Sequence, residues 1–221
     1  MQTAVSAATG EIPVFDFDAL SAAETSRDPF PFLIAKGCVS EERAAEIRND
    51  YPEIKRATFV PLAALKRRGA FDAIARDLES PRLAEALGPL LGVDLSAKPR
   101  MITVRKVSKS SDGGIHNDSA SKIVTMLLYL NDSWSDGGGA VRALRSSKSF
   151  DDYAIEVPPI SGTVFAFRRT ENSWHGHLPY AGLRYVIQTT FLQDEKDIER
   201  KLRTAQPLHE RIIGFFRGKK A

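Results

Sequence analysis

The sequence predicts a mainly β protein with flanking helices, and two observations predict it. Between residues 100 and 193 the chain offers six short apolar runs: MITVRKV, KIVTMLLYL, AVRALRS, YAIEV, GTVFAF and LRYVIQTTFL. Gly, Asp, Ser and Pro clusters separate them with no helical pattern between, the spacing of an antiparallel sandwich or barrel. On either side of this block the texture is different. Residues 1–99 read as short strands followed by helices, and residues 194–221 as helices. The whole is read as one domain with a β core and helices packed around it.

In chain order, residues 1–10 form a small, polar lead-in. Residues 12–17 alternate as a short strand, and 21–27 read as a loop or helical turn. A second strand over 29–35 is entered through prolines, which suit a strand start or an edge. Ser40 is placed to cap a helix that ends before Pro52. A short helix is expected over 63–68, then two longer ones over 71–79 and 81–91. The last of these has Pro81 at its first position and stops near Gly92. Asp136 to Gly139 form a turn. Helical patterns return at 194–203 and 208–216.

Composition limits the function classes. The 221 residues carry a net charge of +3, and 43% of them are hydrophobic; the pI is about 9.0. No basic stripe interleaved with aromatics argues for nucleic acid. The Lys66-Arg67-Arg68 cluster and the basic residues at 217–220 read as solvated faces. A mild positive field favours an anionic co-substrate. One cysteine, Cys38, excludes an intramolecular disulfide and fits a reducing compartment. No signal peptide and no membrane span are read, so a cytoplasmic protein is expected.

The chemistry centres on GGIHNDSASKIVTMLLYLN. His116 and Asp118 stand two apart ahead of a strand, and in extended chain such residues project to the same side. An imidazole beside a carboxylate is two-thirds of a facial triad for iron(II). Alone, the pair arises by chance in about one chain in four of this composition. The loop after GTVFAF then delivers Trp174-His175-Gly176-His177, far enough along for three to four strands to run up and down between. Nine residues beyond His175 comes Arg184, at the start of an apolar strand. An arginine facing into a barrel needs an anionic partner, and its planar fork suits a carboxylate.

Together these segments resemble the 2-oxoglutarate- and iron(II)-dependent oxygenases, in particular the prolyl-4-hydroxylase-like branch. The matching pieces are HND, TMLLYLNDSW followed by DGGG, SGTVFAF, and WHGHLPYAGLRY. They cover roughly residues 100–192, and PFPFLIAKGCVSEERAAEIR resembles the family's lead-in. The resemblance implies a double-stranded β-helix, the cupin-like jelly roll, with residues 100–193 as its catalytic core. It implies His116, Asp118 and His175 as iron ligands, Arg184 on the distal carboxylate of 2-oxoglutarate, and Tyr129 donating to the same carboxylate. Thr125, on the face of the strand shared by Ile123, Leu127 and Tyr129, joins the co-substrate residues. His177 competes with His175 for the third ligand position; the spacing to Arg184 and the following Pro179 favour His175. After GG the family often has Glu, where this chain has Gly139-Ala140-Val141-Arg142.

The implied activity uses iron(II), 2-oxoglutarate and O2 to hydroxylate an unactivated C–H bond, releasing succinate and CO2. The substrate is a small metabolite or a prolyl-type residue in a peptide, with no nucleic acid and no membrane as partner, and a homodimer is possible. Loops 58–69, 108–114 and 168–173 are expected to set substrate identity. Trp134 and Trp174 read as packing residues, Asn172, Arg142 and Arg168 as exterior, and His209 as structural or exposed. Two other readings share the fold: a cupin-like metal dioxygenase or isomerase without 2-oxoglutarate, and a jelly-roll binding module without activity. The first usually has more histidines and gives Arg184 no purpose; the second would be expected to have lost a ligand.

Overall fold

The computed structural model describes residues 13–135 and 137–205. Helix α1 (Phe17–Ser21) is capped by Asp16, whose carboxylate accepts from the amides of Asp18 and Ala19. No strand forms over 13–17, where alternation predicts one. The amides of Val14 and Phe15 are taken by the Asp77 side chain at 2.7 and 2.9 Å instead of by a neighbouring strand. The alternation reflects burial of Phe15 and Phe17, whose rings meet edge to face at 5.0 Å.

A three-residue edge strand, β1 (Glu24–Ser26), occupies the stretch expected to be a loop, and pairs with β2 (Phe32–Ala35). Ser40 caps α2 (Glu41–Asn49) by accepting from the Arg43 amide. Then come β3 (Val60–Pro61) and a single 3-10 turn at Leu62–Ala64, shorter than the helix expected there. Helix α3 (Gly69–Glu79) starts two residues before the expected 71. Helix α4 (Pro81–Leu91) opens on Pro81 and is stopped by Gly92, whose φ of 64° is the left-handed conformation that favours glycine.

All six apolar runs are strands: β4 (Arg100–Ser108), β5 (Lys122–Tyr129), β6 (Val141–Leu144), β7 (Tyr153–Val157), β8 (Val164–Arg168) and β10 (Gly182–Leu192). A two-residue strand, β9 (His175–Gly176), lies between the last two, and α5 (Glu195–Ala205) follows. The second C-terminal helix expected at 208–216, and His209 with it, lies outside the described residues.

The strands form a seven-stranded antiparallel sheet, β1-β2-β8-β5-β10-β4-β3, and a three-stranded sheet, β7-β6-β9. Both are mainly antiparallel layers of a double-stranded β-helix, the jelly roll. The outer face of the large sheet carries Val104, Val124, Met126, Leu128 and Ile187 into one core with Ile47, Ile74, Leu78 and Leu87 of the helices. Its inner face carries Leu127, Tyr129, Phe165, Phe167 and Val186 into a second core with Val141, Ala143 and Val157 of the small sheet. Ile123 departs from the expected alternation and belongs to the helix-side core. Between Phe191 and Leu192 the β5–β10 register shifts, so Lys122 and Ile123 together oppose a single partner step and the pleat is reset.

Candidate active site

The site sits between the sheets, at one end of the inner face. Residues 113–116 run antiparallel to 175–177: His116 and His175 exchange backbone hydrogen bonds, both of 3.0 Å, and the His177 amide donates to the Gly113 carbonyl. Gly113 is needed there. Its φ is 83°, and a Cβ would fall 2.3 Å from the His177 ring. The pairing sets the two histidine rings side by side, with centroids 4.3 Å apart. Four strands, β5 to β8, fill the interval between them.

Asn117, between the two residues of the HxD pair, fixes the turn that delivers His175. Its amide nitrogen donates to the carbonyls of Thr170 and Glu171, and its oxygen accepts from the Ser173 hydroxyl at 2.7 Å. Sequence reasoning assigned Asn117 no role. Its signal was positional, because the residue between two inward-pointing ones in extended chain must point outward to the neighbouring loop.

One donor atom each from His116, Asp118 and His175 lies within 4.8 Å of the others. Nδ1 of His116 lies 2.8 Å from the Gly114 carbonyl, and Nδ1 of His175 lies 2.9 Å from that of Ser173. A carbonyl only accepts, so each Nδ1 carries a proton and Nε2 is the ring atom left to bind a metal. Burial pushes His175 down to about 4, against the pull of Asp118. Burial alone would raise the Asp118 carboxyl. The Lys122 ammonium, His175, and hydrogen bonds from Lys122 and Thr125 outweigh it and hold the group at about 2. Lys122 Nζ stands 2.6 Å from Oδ1, and Thr125 Oγ1 donates to Oδ2 at 2.7 Å. Two imidazoles and one ionised carboxylate, each oriented by a further hydrogen bond, are a donor set that fits a divalent metal such as iron(II). Thr125 thus spends its hydroxyl on Asp118, where sequence reasoning grouped it with the co-substrate residues.

A cavity of about 200 Å³ extends from this cluster along the inner face. At its other end Arg184 is 4% exposed. Its Nε donates to the Gly139 carbonyl at 3.0 Å and its Nη2 lies 3.4 Å from the Tyr129 hydroxyl, with no carboxylate bonded to it among the described residues. Tyr129 is fully buried; burial raises its hydroxyl pKa, which Arg184 partly offsets. The phenol accepts from the guanidinium and keeps its own proton to donate. Buried guanidinium and phenol together can hold one carboxylate.

His177 lies apart from the three-residue cluster. It lines the cavity toward Arg184, with Nδ1 donating to the Leu178 carbonyl at 2.8 Å. Burial, then the Arg184 charge, push it down to about 4. Asn172, Arg142 and Arg168 are bonded away from the cavity, to Pro29, Glu156 and Gly92 respectively. Trp134 packs on Tyr180 with centroids 4.5 Å apart and donates to the Gly138 carbonyl. Phe59 and Asp112, from two of the loops expected to set substrate identity, line the cavity, and so does Arg105, which sequence reasoning missed.

Residues 103–192 match the family model described as the 2OG-Fe(II) oxygenase superfamily. The fold is similar to that of a prolyl 4-hydroxylase from Phytophthora capsici, with a TM-score of 0.53 at 18% identity, covering 85% of this chain and 68% of that one. It is similar to HygX from Streptomyces hygroscopicus, solved with iron bound, with a TM-score of 0.52 at 18% identity, over 75% and 83% of the two chains. It is also similar to a prolyl hydroxylase in complex with a hypoxia inducible factor oxygen degradation domain peptide fragment, from Trichoplax adhaerens. That likeness has a TM-score of 0.52 at 16% identity, over 84% and 91%. No curated protein matches the chain in sequence. Among the described residues, no helix is long and apolar enough to cross a membrane.

Proposed function

We infer that this chain, whose residues 103–192 match the 2OG-Fe(II) oxygenase superfamily model, belongs to that superfamily and hydroxylates an unactivated C–H bond of a small metabolite or of a prolyl-type residue. It is a dioxygenase using iron(II), 2-oxoglutarate and O2. The observation that carries the reading is a single cavity with a His116–Asp118–His175 donor cluster at one end and, at the other, Arg184 without a carboxylate.

In this reading His116, Asp118 and His175 hold iron(II) through two Nε2 atoms and one carboxylate oxygen. Lys122 and Thr125 orient that carboxylate. Arg184 and Tyr129 receive the distal carboxylate of 2-oxoglutarate. Iron(II), with 2-oxoglutarate and O2, supplies the oxidising power that turns C–H into C–OH, with succinate and CO2 as co-products. Phe167, in ring contact with His175 at 4.4 Å, and Leu127 and Val141 form apolar walls that exclude water from the reacting centre. The exposed side of His116, whose side chain is 53% accessible, is where the primary substrate enters.

Titrating the apo protein anaerobically with iron(II) and 2-oxoglutarate tests this. A visible charge-transfer band should form, vanish in His116→Ala and His175→Ala, and persist in His177→Ala. No band in wild type, with iron nevertheless bound, would leave a cupin-like metal enzyme in its place.

A further inference from the structure

Arg105 is a second buried guanidinium in the same cavity, and the oxygenase reading gives it no task. It is 9% exposed. On β4 it lies opposite Val186 of β10, which in turn lies opposite Tyr129 of β5. Directly paired residues of antiparallel strands share a face, so Arg105 and Tyr129 both point inward from either side of β10. Two strand spacings, about 10 Å, separate their backbones.

The guanidinium is only half satisfied. Nη1 bonds Asp112 at 2.9 Å and lies 3.5 Å from the Ser108 hydroxyl, and the Phe59 ring covers one face at 4.3 Å. Its Nε is buried without any hydrogen-bond partner. Two residues earlier on the same strand face, the Thr103 hydroxyl is likewise buried and unpartnered. Charge in the cavity wall is unbalanced in the same direction. Arg105, Lys122 and Arg184 face two carboxylates, Asp112 and Asp118. Binding iron(II) adds two positive charges and 2-oxoglutarate removes two, so one positive charge stays in surplus in the loaded site.

We propose that Arg105 is the receptor for an acid group on the primary substrate, which makes this enzyme a hydroxylase of carboxylate-bearing substrates. The unpaired Nε edge and the surplus charge both point to a carboxylate, for which a guanidinium fork is the matching donor. Asp112 holds the fork in place and ties loop 108–114 to the cavity rim. The proposal rests on the oxygenase reading for the identity of the site, and deepens it by naming the substrate class.

The test uses the full chain, free of metal and saturated with 2-oxoglutarate so that Arg184 is occupied, titrated calorimetrically with N-acetyl amino acids, proline included, each as the free acid and as its amide. Wild type should bind at least one acid ten-fold or more tighter than its amide. Arg105→Gln should remove that preference, and Arg168→Gln, which removes a guanidinium bonded to the Gly92 carbonyl away from the cavity, should keep it. If Arg105→Gln melts early, Arg105→Lys, which keeps the charge and loses the fork, should still weaken the preference several-fold. In parallel, the anaerobic iron(II)/2-oxoglutarate band should need the same 2-oxoglutarate concentration in Arg105→Gln as in wild type.

Three results overturn the proposal. The first is no acid preference in wild type, and the second is a preference that survives Arg105→Gln. The third is a rise in the 2-oxoglutarate requirement of Arg105→Gln, which would reassign Arg105 to the co-substrate. A missing band in wild type beside an intact, Arg105-dependent acid preference would sink the oxygenase reading and leave the carboxylate receptor standing.

Discussion

On β5, Val124, Met126 and Leu128 turn toward the helices, while Thr125, Leu127 and Tyr129 turn into the jelly roll. The first set packs into the helix-side core, where Thr189 lies directly opposite Met126. The second shares its space with Asp118, His175 and Arg184, all buried. Burying an apolar side chain contributes about 1.5–3 kcal/mol to folding. Burying an ionic group costs free energy unless a partner satisfies it. One strand therefore keeps the fold together on one face and, on the other, faces the groups proposed to take a metal and a carboxylate. Changes on the two faces should separate stability from binding.

The largest separation is expected at Asp118. Asp118→Ala removes the only anionic donor of the cluster, and iron(II) affinity measured by anaerobic titration should fall by more than about 100-fold. Its metal-free melting temperature should fall as well, because Lys122, whose side chain is 15% accessible, is left without its anion. Leu128→Ala on the other face should lower stability alone. Leu128 is fully buried, and such truncations cost about 2–5 kcal/mol, read as an earlier urea midpoint with unaltered iron affinity. A Leu128→Ala protein of normal stability would break the contrast between the faces.

The outer face was the legible one. Six strands follow from apolar runs bounded by turn residues, and α2 and α4 from Ser40 and Pro81, because these are local signals. Register was less legible. Ile123 changes face because β5 carries one extra residue where it pairs with β10, some seventy residues away, and β9 is two residues long, too short for any period. In VRKV the two adjacent basic residues look alike. Pairing with Val186 turns Arg105 inward, and nothing local to the run announces it. For the candidate site, the HxD pair and a distal histidine could be read as types and spacing. The pairing of 113–116 with 175–177, which puts His175 rather than His177 beside Asp118, is long-range and could not.

Arg184→Gln should show the inner face at its most one-sided. The 2-oxoglutarate concentration needed for half the charge-transfer band should rise on the order of 100-fold, about 3 kcal/mol, as when one partner of a buried charge pair is lost. Stability of the ligand-free protein should hold or rise, since a buried cation without an anionic partner is removed. An unchanged 2-oxoglutarate requirement would sink the assignment of Arg184. A pH titration probes the same face without mutation. Burial lowers His175 and His177 from 6.5 to about 4, so each binds its proton more readily unfolded than folded. Metal-free stability should be full above about pH 7 and fall as pH drops from about 6.5 toward 4, by roughly 2 kcal/mol per histidine. Melting curves of His177→Gln should show a shallower decline than wild type. A flat profile between pH 7 and 4.5 would mean both rings reach solvent.

The smallest effect is also the closest test of the two faces, because it compares adjacent residues. Thr125→Val keeps the side chain's shape and removes only the hydrogen bond to Asp118 Oδ2, while Lys122 still holds Oδ1. Iron(II) affinity should fall about ten-fold, the lower end of what an outer-sphere partner is worth, with a loss of stability of about 1 kcal/mol. Val124→Ala, one residue away and fully buried against the helices, should lower stability by more than that and leave iron affinity at the wild-type value. If Val124→Ala weakens iron binding as much as Thr125→Val does, the strand transmits packing changes into the site. Its two faces would then form a single cooperative unit, with stability and metal binding inseparable along β5.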